Sequence, residues 1–157
     1  TGVLLREVPP PLTARRVLDL GCGFGVIGLA IAVAVPECRV TAVDVNERAI
    51  LLANENAASL GVADRFHACL PDQVPADEEY DEIWSNPPIR VGKDALHELL
   101  LRWLPRLTES GHARLVVGKN LGADSLARWL SEQDFPTIKT SSSKGFRVLE
   151  ARRNPAA

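Results

Sequence analysis

A short apolar strand that runs straight into alternate glycines is the feature that most limits what this chain can become. Arg16-Val17-Leu18-Asp19-Leu20 has the pattern of a buried strand, and Gly21-Cys22-Gly23-Phe24-Gly25 follows at once. Without a Cβ, such a loop turns sharply and lets another molecule lie against its backbone. An apolar segment from Val26 to Val35, stopped by Pro36, predicts a core helix. A strand, a glycine turn and a helix in this order are the opening of an α/β unit. In open sheets of that class, ligands sit beyond the carboxyl ends of the strands, where the strand order reverses.

The same alternation continues along the chain. Strands are expected at Arg39–Val43, Arg65–Cys69, Asp81–Ser85 and Ala113–Val117, and helices at Glu47–Leu60, Lys93–Leu104 and Ala123–Leu130. Pro71 to Glu79 reads as loop. In the second helix Ala49, Ile50, Ala53, Ala57 and Leu60 form the apolar face; in the third, Leu96, Leu99, Leu100 and Trp103 do. Thr137–Ser142 and Phe146–Ala151, separated by Ser143-Lys144-Gly145, predict a closing hairpin. Strands joined by helical crossovers imply a doubly wound, mainly parallel α/β sheet covered on both faces, with the hairpin adding one antiparallel strand.

Composition narrows the function classes. At 157 residues the chain is one domain, and 46% hydrophobic with 24% charged residues is the balance of a globular protein. Eighteen basic against twenty acidic residues give a net charge of −2, so gripping nucleic acid by overall charge is not indicated. Cys22, Cys38 and Cys69 have neither metal-ligand nor disulfide spacing, which points to a reducing cytoplasm and no metal. The glycines and acids bracketing the apolar run after Asp19 argue for a core helix rather than a membrane span, and no secretory signal precedes it. The absence of methionine suggests a domain lacking an N-terminal part.

Gly23-Phe24-Gly25-Val26-Ile27-Gly28 matches the dinucleotide fingerprint, but the run starts earlier, at Gly21, directly after the acidic Asp19. An acid there repels a pyrophosphate and suits a cation, and S-adenosylmethionine carries an ammonium and a sulfonium without phosphate. Asp44, ending the second strand, is positioned to accept both hydroxyls of a ribose, and Asn46 offers itself as cap for the next helix. Ser85-Asn86-Pro87-Pro88 ends the fourth strand at the same sheet edge. Two prolines stiffen the turn and hold the Asn86 side-chain oxygen and the Pro87 carbonyl as acceptors. Two such acceptors would draw the hydrogens of an exocyclic amine and aim its lone pair at a methyl on sulfur. Catalysis of that kind is mostly positioning.

Asp19-Leu20-Gly21-Cys22-Gly23-Phe24-Gly25, Val43-Asp44-Val45-Asn46 and Ser85-Asn86-Pro87-Pro88 together resemble the motifs of class I S-adenosylmethionine-dependent methyltransferases. The string from Asn86 to Lys93, with Gly122-Ala123 and the segment Lys144–Leu149, resembles the small methyltransferase-domain group that includes RsmC-type guanine-N2 methyltransferases of ribosomal RNA. The resemblance implies a seven-stranded Rossmann-like sheet with the last strand antiparallel. It implies Asp19, Gly21, Gly23 and Gly25 near the methionine moiety, Asp44 on the ribose, Ala68 and Cys69 beside the adenine, Cys22, Val45 and Asn86 as further contacts of the donor, and Asn86 with Pro87 at the target amine. Pro88, Ile89, Arg90 and Lys93 are the expected substrate contacts, the basic pair toward RNA phosphates. Many relatives of this type carry an aromatic residue after the two prolines; Ile89 stands there, and more chain usually precedes the glycine loop.

Two further readings stay open beside an N-methyltransferase acting on guanine N2 of ribosomal RNA, on adenine N6 or on a protein glutamine amide. One is a non-catalytic S-adenosylmethionine-binding module, the other a dinucleotide oxidoreductase. Arg15-Arg16 and Arg152-Arg153 read as exposed charge, His97 as lying one position off an apolar face, Phe146 as core, and His67 and His112 as lacking triad partners.

Overall fold

The computed structural model describes residues 15–21, 25–86, 92–118, 122–143 and 145–153. Seven strands, β1 (Arg16–Leu20), β2 (Arg39–Val43), β3 (Phe66–Cys69), β4 (Tyr80–Ser85), β5 (Leu107–Gly118), β6 (Thr137–Ser143) and β7 (Phe146–Arg152), form one sheet in the order β3-β2-β1-β4-β5-β7-β6. β7 pairs antiparallel with both β5 and β6, and the other pairings are parallel. The helices are α1 (Val26–Ala34), α2 (Glu47–Ser59), α3 (Lys93–Trp103) and α4 (Ala123–Glu132). No helix among the described residues is long and apolar enough to cross a membrane.

Strand alternation sorts the side chains into two cores. Val17, Val40, Ala42, Phe66, Trp84, Val116 and Val148 pack beneath α1 and α2, with Ile31, Ala53 and Ala57 from those helices. Leu18, Leu20, Val43, Ile83, Leu115 and Leu149 pack on the other face, with Leu96, Leu100 and Trp103 of α3 and Leu126 and Leu130 of α4. Asn46 caps α2 as expected, its side-chain oxygen accepting from the amides of Arg48 and Ala49. Leu60 departs from expectation: α2 ends at Ser59, so Leu60 turns outward and is 55% exposed.

β5 starts six residues before the expected Ala113. Leu107 pairs with Tyr80, the register then shifts, and His112 pairs with Glu82. The extra residues break the alternation by which a strand is read, and Gly111 lies where a Cβ would come 3.0 Å from the Thr108 hydroxyl and 3.1 Å from the Asp81 carbonyl.

At Gly28 the backbone of α1 comes close against the sheet. A Cβ there would sit 2.9 Å from Asp19 Oδ2, 2.9 Å from the Phe66 ring and 3.1 Å from Val40. The third glycine of the dinucleotide-like string is thus a packing glycine, seating α1 on β1 and β2. Gly28→Ala is expected to cost about 1–3 kcal/mol through overpacking, more than the roughly 1 kcal/mol that alanine gains in a helix. A urea midpoint equal to or above that of the wild type would contradict this packing.

Candidate functional site

β1 lies between β2 and β4, and the chain goes out through β2 and β3 before returning to β4. The three central strands end level, because Leu20 pairs with Val43 on one side and Ser85 on the other. One residue beyond that row stand Asp44, Gly21 and Asn86. The Gly21 amide donates to the Val43 carbonyl at 2.9 Å, and the buried Ser85 hydroxyl donates to the Leu20 carbonyl at 3.0 Å. These bonds lock the row across all three strands. Gly21 has φ +73 and an added Cβ there would meet nothing within 4 Å, so the backbone turns left-handed with its face open. Gly25, φ +84, starts α1 and faces Ala53 and Phe66, so it serves packing.

A cavity of about 250 Å³ opens beside this row. Leu20, Gly21, Val43, Asp44 and Val45 form its strand side. Pro71 and the α3 residues Ala95, Leu99 and Trp103 close it from the other side. Its walls are apolar apart from the acid. Asp44 is half-buried; its Oδ1 accepts from the Asn46 amide at 2.9 Å and its amide donates to the Cys69 carbonyl at 3.2 Å. Val45, 83% exposed, stands at the rim.

Asp19 is not at the loop mouth. It is 2% exposed, and its Oδ2 accepts from the Gly28 amide at 2.9 Å. Its position in β1 points it to the α1 face, and it does not line the cavity. Burial pushes its carboxyl up to about 7; the Gly28 hydrogen bond opposes the rise and the nearby Asp44 charge adds to it.

The cavity lining also excludes Ala68, Cys69 and Asn86. Ala68 is buried on the α1–α2 face, its amide and carbonyl bonded to the Asn54 side chain, and Cys69 is buried on the α3–α4 face. Asn86 is half-buried at the end of β4, not turned into either core cluster, and Lys93 is exposed at the first residue of α3. Cys22, Gly23, Pro87, Pro88, Ile89 and Arg90 lie outside the described residues. The α3 wall and Pro71 escaped the sequence reading: Leu99 and Trp103 carry an ordinary core pattern, and nothing local says that their helix also bounds a cavity. Among the described residues no group of His, Cys, Asp and Glu has the arrangement of a metal site.

A family model described as the methyltransferase small domain matches residues 1–150. The chain belongs to that family. It is an S-adenosylmethionine-dependent methyltransferase domain, and the earlier expectation of that donor, of the enzyme class and of the seven-stranded sheet stands. Over 153 residues it is 31% identical to the uncharacterized protein YbxB of Bacillus subtilis, covering 96% of this chain and 76% of that protein. It is 42% identical over 98 residues to a release factor glutamine methyltransferase of Bordetella pertussis, covering 59% of this chain but 35% of the relative. The fold is also that of RsmC, the 16S rRNA N2 methyltransferase of T. thermophilus solved with AdoMet and guanosine. There the TM-score is 0.79 at 22% identity, over 96% of this chain and 40% of that one.

The chemistry of the lining suits the donor of this family: apolar side chains, an acid at the end of β2 that can accept from hydroxyl groups, and an open glycine backbone beside them.

The buried Asp19 has a thermodynamic consequence. Its folded pKa of about 7 lies above the ordinary 3.8, so the stability associated with its protonated form is full below 3.8 and is lost as pH rises to about 7 and beyond. Glu82, pushed up to about 7 chiefly by burial, titrates in the same window, so the comparison must be with a variant. Asp19→Asn is expected to lose less stability than the wild type between about pH 5 and about pH 8 in urea unfolding. Parallel curves for the two proteins would place the Asp19 carboxylate in water.

Proposed function

We propose that this domain methylates an exocyclic amine, with guanine N2 of ribosomal RNA as the leading target and the cytoplasm as its place of action. The observation that carries the proposal is the row Asp44–Gly21–Asn86, in which a donor cavity and an amide lie on opposite sides of one central strand.

Gly21, Asp44 and Val45 would hold S-adenosylmethionine, with Leu20, Pro71, Ala95, Leu99 and Trp103 walling its ring system. Bound there, the donor supplies a methyl group already activated by a positively charged sulfur. Asp44 would accept hydrogen bonds from ribose hydroxyls, and Gly21 would allow close backbone approach. Asp19 would act from behind the loop, its ionised form favoured when a cation lies over the glycines. Asn86 would accept an N–H of the target amine through Oδ1, with the Pro87 carbonyl accepting the other. That pair of acceptors holds the amine nitrogen in place and stabilises the charge it gains. Pro88 and Ile89 would border the base, and Arg90 and Lys93 would contact phosphates and fix its orientation without reading sequence. With a net charge of −2, RNA recognition would rest on an unstacked or flipped base and on such local contacts.

A glutamine side-chain amide is the second reading, favoured by the 42% identity to the Bordetella pertussis relative. It presents the same two N–H groups to the same acceptors. Transfer of a labelled methyl group to total RNA and to total protein, followed by mass spectrometry, separates the two. N2-methylguanosine supports the leading reading, and label confined to protein overturns it.

Two substitutions divide binding from transfer. Asn86→Ala is expected to keep donor affinity in calorimetry while methyl transfer drops by about tenfold or more. Ala95→Phe, at an exposed position on the cavity wall, is expected to weaken the donor by about tenfold or more while thermal stability stays near wild type. An unchanged transfer rate in the first or an unchanged affinity in the second would remove that residue from its role.

A further inference from the structure

A second cavity, of about 230 Å³, opens at the opposite edge of the sheet, where β1 and β2 begin. Arg16, Arg39, Thr41, Arg65, His67 and Glu78 bring polar side chains to it. Arg16 and Arg39 are direct register partners in neighbouring parallel strands, so their side chains leave the same face of the sheet. Like charges paired in this way are destabilising unless something compensates them. Among the described residues neither guanidinium has a carboxylate within 4.0 Å.

The acids at this cavity are each held by a neighbour that also lines it. Glu78 Oε1 accepts from the Thr41 hydroxyl at 3.1 Å, and Asp64 lies 4.0 Å from Arg65 Nε. Arg65 also donates to the Ala32 carbonyl, which ties it to α1. His67 pairs in register with Thr41, stands on the same face as Arg39, and is exposed. Two exposed guanidinium groups, neither with a carboxylate within 4.0 Å among the described residues, and an imidazole beside them therefore border a concave polar hollow that Asp64 and Glu78 also line. The planar fork of arginine matches the oxygens of a phosphate, which accept paired charge-assisted hydrogen bonds.

We propose that this hollow is a phosphate-binding site, with Arg16 and Arg39 clamping the phosphate oxygens and His67 adding a third donor. It is separate from the methyl-transfer site, since the two cavities lie at opposite ends of the same five-residue strands, roughly 16 Å of extended chain. The phosphate is either a free one, on a nucleotide or as the inorganic ion, or one of a nucleic-acid backbone.

The test uses the whole chain and the double variant Arg16→Gln/Arg39→Gln, both positions being exposed and outside the core. Thermal unfolding is followed during titration with sodium phosphate and, at equal ionic strength, with sodium chloride. We expect a saturable rise in Tm with phosphate only, and a dissociation constant about tenfold or more weaker in the double variant. Arg39→Lys, which keeps the charge and loses the fork, should fall between the two. A second arm measures binding of single-stranded oligothymidylate, whose base has no exocyclic amine, as salt is raised. If the site takes backbone phosphates, the slope of log K against log salt should be shallower in the double variant by about 1.4, two contacts at 0.7 each. Equal slopes with a retained phosphate response assign the site to free phosphate. No saturable phosphate response, or an equal response in the double variant, overturns the proposal.

Discussion

The hydrogen bond from the Gly28 amide to the buried Asp19 carboxylate is the contact on which the rest of the site depends. It joins the end of β1 to the first turn of α1 at a distance only a glycine allows, and Phe66 and Val40 fill the space around it. Strand and helix are thereby held close together, with Gly21 just past the end of β1 and Gly25 at the start of α1. The cost is a carboxyl group pushed up to about 7 by burial. Its hydrogen bond compensates only part of that desolvation.

Most of the architecture was legible because it rests on local periodicity. The short apolar strands, the glycine turn, the Asn46 cap and the terminal hairpin each carry their signal within a few residues. What was not legible depends on distant pairings. The early start of β5 is hidden by a register shift opposite β4, and the exposure of Leu60 follows from where α2 stops. His97 seemed a stray polar residue on α3, yet its ring stacks on Trp129 of α4 at 3.6 Å, a contact that only the packing of the two helices creates.

The site divides in the same way. The places of Gly21 and Asp44 beside the cavity are legible in the motifs, since each lies one residue past a strand end. Asp19 was read as an acid facing the ligand, but strand alternation sends it to the other face, a detail fixed by the phase of β1 rather than by the motif. The cavity wall from α3 was invisible because Leu99 and Trp103 look the same whether a helix covers only core or core and cavity together. Arg16 reads as exposed charge and Arg39 as the first residue of a strand, and only the register of β1 against β2 sets the two side by side.

The level ending of β2, β1 and β4 sets a fixed span. Two inter-strand spacings, about 10 Å in all, separate the backbone that carries Asp44 from the backbone that carries Asn86. Hydrogen-bond ladders hold that interval, so no side-chain substitution stretches or shortens it. Proteins built on this frame would then diversify their targets through the turns above the strand ends, leaving the gauge itself untouched.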